Sequence, residues 1–128
     1  FKVDFLMRWR DFQDLAPLPD TFFNQPRRIH FIGVGGIGMS ALAFALQSRG
    51  HFVSGSDANQ SAMTKQLEDA GVQVVFGHDA QNLQALEGGA EAIIFGSAIA
   101  SDNPERVAAR ESNIPEWHRA QLLAFFVN

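Results

Sequence analysis

The chain has 128 residues, a formal net charge of −4 and a hydrophobic fraction of 46%. These values are typical of one globular domain and exclude a disordered chain. The acidic balance argues against nucleic acid or an anionic membrane as the main partner, and no apolar run reaches the roughly 20 residues that span a bilayer. The sequence contains no cysteine, so disulfides and thiolate metal sites are excluded. We therefore expect a cytoplasmic domain without a membrane or nucleic-acid partner.

Residues 1–27 differ in character from the rest of the chain. They are rich in proline and aromatic residues and show no sustained hydrophobic period, although residues 5–15 match a short amphipathic helix. We interpret 1–27 as an N-terminal extension that docks on the main domain, which we place at 28–128. The alternative is an apolar contact with a missing partner or with a second copy of the chain, and therefore self-association.

From residue 28 onward, apolar strands alternate with helices. The pattern predicts strands at 28–34, 51–55, 72–76, 91–97 and 114–117. It predicts helices at 36–49, 61–70, 80–86, 103–111 and 120–127, with Ser61 as an N-cap and Pro104 in a first turn. This alternation predicts an α/β fold, a Rossmann-like doubly wound parallel sheet of about five strands in a single domain. The ligand crevice of such a fold lies at the carboxyl ends of the strands.

A glycine-rich turn joins the first predicted strand to the first predicted helix. Gly33, Gly35 and Gly38 have the spacing G-x-G-x-x-G, and Asp57 ends the next strand. This is the context of a dinucleotide fingerprint, in which backbone N–H groups at a helix N-terminus bind a phosphate. Gly33 would form the turn, Gly35 would let the backbone approach a pyrophosphate, and Gly38 would let helix and strand pack closely. We interpret Asp57 as an acceptor for ribose hydroxyls; the alternative is a helix cap or turn residue.

The loop region and five later segments together carry a more specific signal. They are residues 29–40, 53–57, 76–78, 97–99, 102–105 and 118–120. In this order and spacing they resemble the N-terminal domain of the Mur ligases, over about residues 28–125. The resemblance implies a Rossmann-like domain that binds UDP-N-acetylmuramate rather than a nicotinamide cofactor. The loop is most similar to that of the members that add L-alanine to this substrate, although a related ligase for recycled peptide shares the fold and the UDP-sugar class.

The resemblance also implies the substrate contacts. The backbone of 35–39 would hold the diphosphate and Asp57 the uridine ribose, with His78 and 97–99 along the uridine. Asn103 and Arg119 are further candidates, for the crevice wall or the sugar. The complete predicted UDP-sugar site is Gly33, Gly35, Gly36, Ile37, Gly38, Met39, Ser40, Asp57, His78, Ser97, Ala98, Ile99, Asn103 and Arg119. No catalytic and no metal-binding residue is predicted in this chain.

Three of these residues have an alternative reading that leaves the ligand out. His78 could cap a loop, the Ser97 hydroxyl could bond the local backbone, and Arg119 could be a solvated residue at a helix N-terminus. His30 and His51 head buried strands, and we expect both to be structural. At position 96 many relatives have a serine where this chain has glycine, which bears on the affinity for uridine.

The chain has only two lysines, Lys2 and Lys65, and neither follows a glycine-rich loop, so no P-loop is present. The resemblance implies that ATP and magnesium are held by central and C-terminal domains that this chain does not include. We therefore expect the chain to bind UDP-N-acetylmuramate but to be inactive alone, as one domain of an ATP-dependent ligase of peptidoglycan precursor synthesis. The alternative function is a regulatory NAD-binding Rossmann module, because the fingerprint alone does not choose between the two ligands.

Overall fold

A computed structural model of the chain describes residues 17–127, so the predicted helix at 5–15 lies outside the described residues. Five parallel strands form one sheet in the order β3-β2-β1-β4-β5. The strands are β1 (Arg28–Ile32), β2 (Phe52–Asp57), β3 (Gln73–Phe76), β4 (Ala92–Phe95) and β5 (Glu116–His118). The predicted fold class, a doubly wound α/β domain with a five-stranded parallel sheet, is confirmed.

In the described part of the chain, four α-helices and two short 3₁₀ helices connect and cover the strands. The α-helices are α1 (Met39–Ser48), α2 (Ala62–Asp69), α3 (Pro104–Glu111) and α4 (Arg119–Val127), and the 3₁₀ helices are Phe22–Asn24 and Ala80–Gln84. Their starts follow from local chemistry: the Ser61 hydroxyl accepts the Thr64 N–H, and Asn103 caps α3 ahead of Pro104. Within residues 17–127, no helix has the length and apolar character needed to cross a membrane.

The central strand β1 is buried on both faces of the sheet. Ile29 and Phe31 pack on the face covered by α1 and α4, and Ile32 packs with Ala109 of α3 on the other face. Because side chains alternate along a strand, His30 points to the α3 side, where it is fully buried. A polar ring in that position requires a hydrogen-bonding partner inside the protein.

Several predicted boundaries are wrong by two or three residues. β1 ends at Ile32 rather than 34, because the N–H groups of Gly33 and Val34 both bond to the Ser56 carbonyl and turn the chain over β2. α1 begins at Met39, since Gly36–Gly38 belongs to the turn, and the predicted helix at 80–86 is a 3₁₀ helix. These errors are of the usual size for element ends.

The described part of the predicted extension packs on the main domain. Leu18 is buried in the core beside α1 and α4. Phe22 makes an edge contact with Trp117, with ring centroids 4.8 Å apart, and Phe23 lies 5.2 Å from Phe125. Residues 17–27 therefore pack against β5 and α4.

Candidate functional site

The glycine loop lies at the carboxyl edge of the sheet, where β1 stands between β2 and β4. After β1 the chain adds β2 and β3 on one side of β1, and later β4 and β5 on the other side. In doubly wound folds a ligand crevice opens where the strand order reverses in this way. Within residues 17–127, the N–H groups of Ile37, Gly38 and Met39 donate no hydrogen bond. Three unpaired amides at the start of α1 could hold an anion, with support from the helix dipole.

The Arg119 side chain reaches this loop from the other half of the sheet. A Cβ built on Gly38 would lie 2.9 Å from Arg119 Nη1, and one built on Gly96 would lie 3.8 Å from Arg119 Cδ. Gly38 itself has a φ of +84°. The predicted role of Gly38 in helix–strand packing is therefore wrong: this glycine supplies a left-handed turn and leaves room for a guanidinium.

Asp57 contacts the loop rather than standing apart from it. Its Oδ2 accepts the Gly35 N–H at 2.9 Å and its Oδ1 accepts the Asn59 N–H at 3.2 Å. A Cβ on Gly35 would lie 2.9 Å from Asp57 Oδ2 and 3.0 Å from Thr64 Cγ2. The Gly35 N–H is thus already bonded within the protein, which corrects its predicted place among the diphosphate donors. The carboxylate keeps lone pairs for a further donor.

Beyond β4, the segment 97–99 lies on the opposite wall of the crevice. Ser97 and Ala98 are exposed, and Ile99 Cδ1 lies 3.7 Å from the position of a Cβ on Gly33. Ser97 Oγ bonds His118 Nε2 at 2.9 Å, so the alternative of a bond to the local backbone is wrong. Sequence reasoning missed His118 because it placed the fifth strand two residues too early.

His118 holds a defined tautomer. Its Nδ1 accepts the Ala120 N–H at 3.0 Å, so in the neutral ring Nε2 carries the proton and donates to Ser97. Burial, with the nearby charges of Arg119 and Arg106, lowers the pKa of His118 to about 4. The ring is therefore neutral near pH 7, and the Ser97 hydroxyl keeps its own proton for another acceptor.

Below the crevice, on the α3 face, a polar network surrounds Glu105. This fully buried carboxylate accepts from His30 Nε2 at 2.5 Å through Oε1. Through Oε2 it accepts from Ser56 Oγ at 2.9 Å and from His78 Nδ1 at 2.7 Å. Burial alone would raise the pKa of Glu105, but the hydrogen bonds from His30, His78 and Ser56 and the charge of His30 together hold it below its ordinary value.

The network settles several predictions. His30 is bonded to Ser54 Oγ at 2.7 Å as well as to Glu105, and His51 Nδ1 accepts the Arg27 N–H at 3.1 Å, so both histidines are structural as predicted. Asn103 Oδ1 accepts the Glu105 N–H at 2.8 Å and thereby caps α3. Glu105 was not predicted as a site residue, although it ends the segment 102–105 that carries the family resemblance; a further signal was His30, which stands between apolar residues of β1.

The described residues show no metal site. Between residues 17 and 127, no group of three or more histidine, aspartate or glutamate side chains is arranged to hold an ion. Lys65 lies on α2 with its ammonium 3.8 Å from Asp69, and it does not reach the glycine loop. The crevice thus offers backbone amides, a guanidinium, a carboxylate, the Ser97 hydroxyl and the His78 ring, a set suited to a phosphorylated nucleoside.

Comparison with known proteins defines the class. Residues 28–128 match the model of the Mur ligase family, catalytic domain. The chain belongs to the Mur ligase family, and the predicted resemblance is confirmed. It is 48% identical over 103 residues to the UDP-N-acetylmuramate–L-alanine ligase of Symbiobacterium thermophilum, a match that covers 80% of this chain and 20% of that protein. The chain therefore spans about a fifth of the length of the curated relatives it matches.

Solved structures agree with the family assignment. The UDP-N-acetylmuramate–alanine ligase of Thermotoga maritima superposes with a TM-score of 0.69 at 35% identity, covering 76% of this chain and 22% of that one. A murein peptide ligase of Psychrobacter arcticus gives the same TM-score at 29% identity, covering 77% of this chain and 20% of that one. The backbone therefore places the chain in the family without separating these two activities.

Proposed function

We propose that this chain binds UDP-N-acetylmuramate as the first domain of an ATP-dependent ligase that joins L-alanine to that substrate in peptidoglycan precursor synthesis. One observation carries the proposal: three unpaired amides, of Ile37, Gly38 and Met39, lie at the start of α1 beside the Arg119 guanidinium. A diphosphate has the charge and the oxygen geometry to accept from both.

The remaining contacts follow the order of the strands. Asp57 ends β2 next to the loop, which suits a ribose that follows the diphosphate. His78 follows β3, one strand further out, and suits the nucleoside. Ser97 and Ile99 follow β4 and face the loop from the opposite side, where Arg119 also lies. We assign Ile37, fully exposed at the tip of the loop, to the edge of the bound substrate.

ATP and magnesium do not fit the residues of this chain. No lysine follows the glycine loop, and the described residues hold no cluster of metal ligands. We assign both to the parts of the longer relatives that this chain does not match, together with the activation of the muramate carboxylate and the attack by the amino acid. This chain binds the substrate but has no ligase activity alone. We place it in the cytoplasm.

The choice of L-alanine as acceptor rests on sequence similarity. The curated relative quoted above is an L-alanine ligase at 48% identity, whereas the solved murein peptide ligase is 29% identical. The acceptor itself would contact residues outside this chain. A regulatory NAD-binding module is not favoured, because the family match covers residues 28–128. Self-association through residues 1–27 stays a prediction.

Isothermal titration of the 128-residue chain tests the proposal. We expect saturable binding of UDP-N-acetylmuramate and UDP, about tenfold weaker binding of UMP, which lacks one phosphate, and no binding of NADH. Binding of NADH without a response to the UDP-sugar would contradict the proposal. No heat with any of these ligands would show that the chain alone does not form the site.

A further inference from the structure

The Glu105 carboxylate lies beneath the crevice and takes no part in the contacts proposed above. It is fully buried at the start of α3, and both of its oxygens accept hydrogen bonds. A buried carboxylate is costly unless it is fully bonded. Its partners connect the interior of the sheet, at His30, with the carboxyl edge, at His78. A buried network that runs from the interior to the edge of the ligand crevice can orient a side chain at that edge.

His78 is the end of the network that meets solvent. Its side chain is 27% exposed, and its Nδ1 is turned inward, 2.7 Å from Glu105 Oε2. Its Nε2 makes no hydrogen bond with any residue between 17 and 127 and is not among the buried polar atoms without a partner, so it is open to solvent. The preceding Gly77 donates its N–H to the Asp57 carbonyl at 2.9 Å, which fixes the loop beside the predicted ribose site.

We propose that Glu105 is a positioning residue that presents His78 Nε2 to the nucleoside as a hydrogen-bond acceptor. An ionised carboxylate only accepts, so His78 Nδ1 must carry the proton. In the neutral ring, Nε2 then has a free lone pair directed away from the protein. It pairs with a donor of the ligand, either a ribose hydroxyl or the N3–H of the pyrimidine. This inference rests on the proposed function, because it concerns the nucleoside end of the same site.

The other half of the network keeps the carboxylate in place. His30 Nε2 bonds Oε1 from the opposite side, and Ser54 Oγ lies 2.7 Å from His30 Nδ1. Ser56 donates to Oε2 next to His78. Glu105 therefore cannot turn away from His78 without breaking two further buried hydrogen bonds. The direction of the His78 proton is set by residues that never touch the ligand.

Nitrogen NMR of the histidine rings in the 128-residue chain tests the tautomer directly. At about pH 8, above the ordinary pKa of histidine, we expect His78 to carry its proton on Nδ1 and the Nε2 resonance to shift on addition of UDP. A proton on Nε2 would overturn the inference. So would a silent Nε2 while the amides of Gly38 and Met39 respond to UDP. If neither the ring nor the amides respond, the proposed function fails as well.

Substitutions link the tautomer to binding. His78→Phe should weaken UDP binding about tenfold, the effect of one lost hydrogen bond. Glu105→Gln should reduce the Nδ1–H population of His78 and weaken UDP binding together, whereas Glu111→Gln, at the exposed far end of α3, should change neither. An unchanged tautomer in Glu105→Gln, or a change in only one of the two quantities, would overturn the inference. If Glu105→Gln does not fold, the wild-type spectra and His78→Phe still decide.

Ligand analogues identify the donor. CDP lacks the N3–H of UDP, and 2′-deoxy-UDP and 3′-deoxy-UDP each lack one ribose hydroxyl. We expect one of these three analogues to lose about tenfold in affinity for the wild-type chain but to bind His78→Phe as well as UDP does. If all three keep their penalties in His78→Phe, the ring does not receive a hydrogen bond from the nucleoside and the inference is wrong.

Discussion

Arg119 is the first residue of α4, directly after β5, but its side chain lies against the glycine loop. Its guanidinium occupies the region into which a side chain at position 38 would project. Any residue larger than glycine at 38 would meet this group and would also have to adopt a φ of +84°. Gly38 and Arg119 therefore depend on each other, although 81 positions separate them.

Replacing Arg119 by alanine should weaken UDP binding by about tenfold to a hundredfold, because a charge-assisted hydrogen bond to a phosphate contributes roughly 1.5–3 kcal/mol. Arg110→Ala is the matched control: Arg110 bonds Glu116 on the outer surface, and its loss should change binding by less than about twofold. Titration calorimetry measures both. Equal affinities of wild type and Arg119→Ala would show that the guanidinium does not contact the diphosphate.

Sequence reasoning reached the loop residues, Asp57 and Arg119, but not the contacts between them. The spacing of Gly33, Gly35 and Gly38 predicts the turn, because glycine spacing is local. The partners of the loop are not local: Asp57 accepts the Gly35 N–H across 22 positions, and His30 meets Glu105 across 75. Contacts of this kind follow from how the strands stack, and no periodicity within one segment contains them.

At the scale of elements, the junction of β5 and α4 shows why one strand was misplaced. The apolar Ile114 suggested a strand start, but its N–H bonds the Ala109 carbonyl and ends α3 instead. Asn113, with a φ of +57°, completes that helix end. β5 therefore begins at Glu116, and His118 becomes its last residue, where it is buried beside Ser97.

The burial of His118 predicts how stability depends on pH. Its pKa falls from 6.5 to about 4 on folding, so below pH 6.5 the unfolded chain takes up a proton that the folded chain refuses. The free energy of unfolding should therefore decrease as the pH falls from 6.5 to about 4, by roughly 3 kcal/mol from this residue. His51, whose pKa is also lowered by burial and by Arg49 and Arg27, adds to the same trend.

Urea unfolding of the wild type and of His118→Gln between pH 6.5 and about 4 separates the contributions of His118 and His51 to the pH dependence of the free energy of unfolding. The variant should lose the larger part of the decrease and keep the part that belongs to His51. Glu105, with its lowered pKa, stabilises the fold above its ordinary pKa of 4.5 and loses this effect only at lower pH. The same slope in the variant and the wild type above pH 4.5 would contradict the assignment to His118.

At the scale of the whole molecule, the fold class could be predicted and the strand order could not. Apolar runs such as Ile93–Phe95 indicate strands buried on both faces, and their alternation with helices indicates a parallel sheet. The position of β1 between β2 and β4 creates the crevice. This strand order comes from the packing of α1 and α3 on opposite faces of the sheet. Docking of the extension on the main domain was predicted, but the particular contacts of Leu18 and Phe22 were not, because residues 17–27 have no period.

The measurement that tests the central claim most directly is an amide NMR titration of the chain with UDP-N-acetylmuramate. We predict large, saturable shifts at Ile37, Gly38 and Met39, whose N–H groups are unpaired, and none at Gly88 and Gly89, which face Arg28 and Gln84. NADH at the same concentration should leave the three loop amides unchanged. Shifts confined to other segments, or a loop that responds to NADH and not to the UDP-sugar, would contradict the claim that this helix start holds the diphosphate.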